Sequence, residues 1–137
     1  MTEGELLQRI AQTLKQEIGP AIDSEYPKTQ AFMAGVVLHK LGQQVALART
    51  HELAATTDFE TLLADLAHTL SGVNAPRELQ QAIVALEKAR NSAALCRVIE
   101  ALYAARVALG DTLFAALLSR VRQNLRASID RRMEFAA

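Results

Sequence analysis

Chemistry in this chain would have to come from few residues. Its histidines are His39, His51 and His68, and its single cysteine is Cys96. Asp65 and His68 stand three residues apart, a spacing that puts a carboxylate and an imidazole on one helical face, as in half of a metal site. Carboxylate-bridged di-iron bundles need two Glu-x-x-His motifs and two further inward-facing Glu residues, and no second motif is present. No metal and no cofactor are therefore expected. The chain has no Gly-x-Ser-x-Gly elbow to activate a serine, and its glycines, at 4, 19, 35, 42, 72 and 110, assemble neither a phosphate loop nor a dinucleotide fingerprint. Cys96 cannot form an internal disulfide. It falls at helical spacing with Ile99 and Tyr103, which predicts a small buried hydrophobe rather than a nucleophile. No residue qualifies as catalytic.

Three groups of polar residues remain. His51, beside Glu52, suits the C-terminal end of a helix, where the macrodipole favours a positive group. His39 follows the apolar run Ala31 to Leu38, which predicts partial enclosure, either as a satisfied core histidine or as a ligand contact. The stretch Ser24-Glu25-Tyr26-Pro27-Lys28-Thr29-Gln30 gathers polar groups where two helices meet, either as a hydrated turn or as a binding loop. Tyr26, Lys28 and His39 are thus the candidate ligand-binding residues. Arg120, Arg122, Arg126, Arg131 and Arg132 could grip phosphates, but no aromatic residues interleave them for base stacking, and the helix dipole accounts for the last two. Nucleic acid is not an expected partner.

Helices must position all of these. The apolar mass is mostly Ala and Leu, with no Trp, two Tyr and four Phe, a composition that favours helix packing over a sheet. Thr2 and Glu5 have capping-box spacing, and Leu6, Leu7, Ile10, Leu14 and Ile18 follow at helical steps until Gly19-Pro20. Pro27 opens a long second helix to about Ala55, with Ala34, Leu38, Leu41, Val45 and Ala48 on one stripe. Ala31, Gly35, Gly42 and Ala46 form another stripe of small residues. Interior glycines cost a helix about 1 kcal/mol each relative to Ala, so either they are merely tolerated or another backbone passes close by. These four residues are the candidate interaction face. Thr57 and Glu60 repeat the capping-box spacing before a helix ending at Gly72, and Pro76 opens the next. A break near Asn91-Ser92 leaves residues 76–109 as one helix or two, and Asp111 can cap the last helix.

The fold class is accordingly all-α. A single domain over residues 1–137 is expected, an up-and-down bundle of about five or six helices with a long second helix. Fifteen basic and fifteen acidic residues balance overall. Residues 1–86 carry six basic against ten acidic side chains, and residues 87–137 nine against five, so the two parts are of opposite sign. The longest apolar run is far shorter than the ~20 residues of a membrane span, and Met1-Thr2-Glu3-Gly4-Glu5 does not resemble a signal peptide. A cytoplasmic protein is expected.

Four segments together carry a resemblance: Glu5-Leu6-Leu7-Gln8-Arg9-Ile10, the helix around Ala31 to Leu41, Leu95-Cys96-Arg97-Val98-Ile99, and Val121-Arg122-Gln123-Asn124-Leu125. They resemble a family of small uncharacterised all-helical bacterial proteins, encoded beside or fused to aminoglycoside-phosphotransferase-like proteins in clusters with acyl-CoA dehydrogenases. The resemblance implies an accessory role in acyl-CoA or related catabolism, and it carries over no catalytic residue. Two functions follow as expectations. One is a non-enzymatic helical binding or accessory protein that contacts a protein partner or its own copy through a helix face. The other is a small-molecule-binding or enzymatic subunit with a pocket near His39 and Tyr26.

Overall fold

Thr2 opens the first helix as its spacing predicts. Its hydroxyl accepts the Glu5 N–H at 3.2 Å, and the Glu5 carboxylate accepts the Thr2 N–H at 2.8 Å, which starts α1 at Glu3–Thr13. The helix then widens into a π turn, Leu14–Ile18, where the Gly19 N–H reaches back to the Leu14 carbonyl. Pro20 explains the widening. It has no N–H to give to the Gln16 carbonyl, and its ring would strike that carbonyl in a regular α-helix. One more turn, Gly19–Ala21, ends at Ile22, whose backbone is extended.

The computed structural model describes residues 1–136, and among them the chain is helical with no strand. The second helix, α2, runs over Glu25–Thr69. Pro27 sits in its first turn, where a missing N–H costs nothing, and the Lys28 N–H bonds the Ser24 carbonyl at 3.1 Å. This corrects the expected boundary. A helix ending near Ala55 and a fresh start capped by Thr57 are not found, because α2 continues through both as 45 unbroken residues. A capping box needs its Thr outside helical geometry, and no Gly or Pro between Gly42 and Gly72 releases the backbone there. Inside a helix, threonines cost only a few tenths of a kcal/mol each.

After the turn at Gly72, which has φ +76°, come α3 (Arg77–Lys88), α4 (Ser92–Ala104), the short α5 (Arg106–Leu109) and α6 (Asp111–Ala136). The Asn91 side chain accepts the Ala94 N–H at 2.9 Å, so the unmarked break is an N-cap and residues 76–109 form separate helices. Asp111 does not cap from outside as expected. It is the first helical residue, and its carboxylate accepts a bond from Arg106 Nε at 3.2 Å.

Contacts divide the chain into two compact units, Met1–Leu53 and Ala54–Ala137. The second unit is a helical bundle with a large-residue core. Phe59, Leu62 and Leu66 of α2 pack with Leu79 and Leu86 of α3, with Leu95, Val98 and Leu102 of α4, and with Leu117 and Val121 of α6. The first unit pairs α1 with the N-terminal part of α2. Its buried residues are small, being Gly4, Ala11, Gly19, Gly35 and Gly42 among the described residues.

One residue of the second unit breaks the apolar pattern. Asn124 is 3% exposed, and neither its Oδ1 nor its Nδ2 meets a hydrogen-bonding side chain or backbone group. It lies three residues past Val121, on the core face of α6, where a polar amide loses hydration. Asn124→Leu, which keeps the branching, is expected to raise the unfolding free energy by about 1–2 kcal/mol. Urea titration followed by circular dichroism measures it, and a loss of stability would show that the amide is held by a partner.

Candidate functional site

The residues that could have formed a ligand pocket do not converge. Tyr26 is 73% exposed, His39 is exposed and Lys28 is half-buried. Tyr26 and His39 share α2 but stand thirteen residues apart, about 20 Å along a helix rising 1.5 Å per residue. The expected enclosure of His39 is therefore corrected. Following an apolar run in sequence does not place a residue among the side chains of that run, since each step along a helix turns by about 100°.

Cys96 is also corrected, from buried to exposed. The core face of α4 runs through Ala94, Leu95, Val98 and Leu102, and Cys96 lies one residue off it. His68 is exposed, and its neighbour Asp65 is taken by Arg120 Nε at 2.7 Å. Among the described residues no three His, Cys, Asp or Glu side chains gather into a metal-binding group.

The arginines of α6 pin the second unit together. Arg120 pairs with Asp65, and Arg131 Nη1 reaches Asp58 Oδ2 at 2.6 Å, so two ion pairs tie α6 to the end of α2. Arg122 donates to the Tyr103 hydroxyl at 2.8 Å and Arg132 to the Ser92 hydroxyl at 2.7 Å, tying the same helix to α4. Tyr103 in turn packs edge-on to Phe114. Four of the five arginines that could have gripped phosphates reach neighbouring helices instead, and Arg126 is exposed. No local pattern signals these bonds, because the partners lie 19 to 73 residues away.

The small-residue stripe of α2 meets α1. A Cβ on Gly42 would come within 2.9 Å of the Gly4 carbonyl oxygen, and one on Gly4 within 2.8 Å of the Gly42 carbonyl oxygen. At Gly35 a Cβ would lie 2.8 Å from Lys15 Cγ and 3.1 Å from the Ala11 carbonyl. Ala46 borders the same contact, and Ala31 is half-buried. The candidate face Ala31, Gly35, Gly42 and Ala46 is thus where the chain packs against itself.

A different face of the same hairpin is open. With α1 placed against Gly35 and Gly42, the 100° step between residues sets Leu7 of α1, Leu14 at the start of the π turn and Leu38 of α2 along one side of the seam. All three are half-buried. Beside them stand Leu6 and Ile10 on α1 and Val37, Leu41 and Val45 on α2, each exposed, with Ile18 at the far end. The opposite side of α1 is polar, with Glu5, Arg9 and Gln12, while the opposite side of α2 carries the exposed Phe32 and Val36. The face was legible as two apolar stripes, but not as an uncovered surface.

Among the described residues no helix is long and apolar enough to cross a membrane. Comparison with protein-family models, with curated proteins and with solved structures finds no match to the chain.

Proposed function

We propose that this chain is a non-enzymatic helical interaction protein that docks through the apolar face of its α1–α2 hairpin. The observation that carries this is the contrast between the two units. Residues 54–136 hold a closed core of large side chains, whereas the hairpin buries only glycine and alanine in its seam and leaves Leu6, Ile10, Leu41 and Val45 exposed. Six large aliphatic side chains left bare on one side form roughly 500 Å² of apolar surface, at the upper end of the ~300–600 Å² largest patch of an ordinary monomer. A patch of this size on a monomer is often functional. A ligand pocket between Tyr26 and His39 would need them to converge, and their separation along α2 opposes it. The resemblance to a bacterial accessory family agrees with an interaction role in the cytoplasm, beside enzymes of acyl-CoA catabolism.

Site-specific photo-crosslinking in cells tests docking through this face. A photoreactive residue in place of Leu41 is expected to give discrete protein adducts, and the same residue in place of Gln12, on the polar side, is expected to give none. Equal yields at the two positions, or none at either, would overturn it.

A further inference from the structure

We infer that the occupant of this apolar face is a second copy of the chain, laid on as an antiparallel four-helix layer with α1 of one copy over α2 of the other. This rests on docking through the face, as proposed above. A mate must offer a comparable apolar surface, and the chain itself carries one. Two antiparallel helices with aliphatic side chains on one side make half of a four-helix bundle, and a twofold axis supplies the other half. The dimensions agree. With about 500 Å² of apolar surface from each copy, the interface reaches the ~1,000 Å² that a specific association needs, before its polar margins are counted.

The second unit offers no such mate. Its exposed large apolar residues, Val84, Tyr103, Val107, Ile129, Met133 and Phe135, are spread over four helices, α3 to α6.

Sedimentation velocity on the full chain between about 1 and 100 μM tests the inference. The expected result is a concentration-dependent species of twice the chain mass. Ile10→Glu and Leu41→Glu are each expected to raise the dimer dissociation constant at least tenfold, while Gln12→Glu leaves it within twofold. Circular dichroism of each variant checks that helicity is kept, and a variant that loses helicity is replaced by Val45→Glu at the edge of the same face. A monomer across the whole range would overturn the second copy as occupant. So would a dimer indifferent to both Ile10→Glu and Leu41→Glu. If the protein is monomeric but Leu41 still crosslinks to another protein in cells, self-association fails while docking through the face stands. If Leu41 crosslinks to nothing, both fail.

Discussion

Leu62→Ala is expected to lower the unfolding free energy of residues 54–136 by about 2–5 kcal/mol, the cost of deleting a core leucine where the surroundings collapse only partly. Leu62 is fully buried at the centre of the core, on the α2 segment that α6 holds through Asp58 and Asp65. Those two ion pairs lie about one helical turn on either side of Leu62. They fix the backbone around the cavity, so little relaxation can refill it. A loss of this size in a unit of some eighty residues lowers its melting temperature by roughly 8–40 °C. Urea unfolding followed by circular dichroism reads the difference directly. A change below about 1 kcal/mol would mean that Leu62 is not locked in a close-packed core.

Gly42→Val is expected to destabilise the α1–α2 pairing by about 2–3 kcal/mol, the upper range for overpacking a tight contact. Its Cβ would meet the Gly4 carbonyl oxygen at 2.9 Å, and Gln8 Cγ at 3.0 Å and N at 3.4 Å. Two of these neighbours are backbone atoms in a helix and cannot rotate away. The smaller change Gly42→Ala gives the sharper sign test. On an open helix surface alanine is more favourable than glycine by about 1 kcal/mol, so that substitution would stabilise α2. Against Gly4 it should destabilise. Amide hydrogen exchange is the readout, with α1 amides from Leu7 to Ala11 exchanging at least tenfold faster and the α4 and α6 amides unchanged. Slower exchange in α1 on Gly42→Ala would remove the close backbone approach.

Much of this architecture was legible because it rests on local rules. Thr2 with Glu5, the stripe of α1 and the proline start of α2 each follow from interactions within one or two helical turns, and each is found in place. Thr57 with Glu60 has the same spacing as Thr2 with Glu5 and yet caps nothing. A spacing of three residues fits a helix interior as well as its start, and only a preceding breaker separates the two. Asn91 shows the converse, since its cap was foreseeable from residue type but carried no Gly or Pro to mark it.

The candidate site was harder to see, for a physical reason. Periodicity identifies which residues share a helical face but not what covers that face. The glycine stripe of α2 was readable as a close approach, and its partner turned out to be α1, with Gly4 opposite Gly42. The arginines of α6 looked equally free until Asp58, Asp65, Ser92 and Tyr103 came to meet them. His39 is exposed because neighbours along the chain need not be neighbours in space, and Cys96 because the face it shares with Tyr103 lies off the core face, Tyr103 itself being exposed. What distinguishes Leu6, Ile10, Leu41 and Val45 is that they are apolar, aligned and uncovered, and only the last property depends on the three-dimensional packing.

Carbene footprinting of the full chain across a dilution series tests that last property most directly. At the lowest concentration, Leu6, Ile10, Leu41 and Val45 are expected to label heavily while Leu62 and Leu95 stay unlabelled. As concentration rises, labelling of those four should fall several-fold, and that of Gln12 and Gln16 should not. If the four aliphatic residues remain as unlabelled as Leu62 even when dilute, the chain covers its own apolar face, and association through it is contradicted.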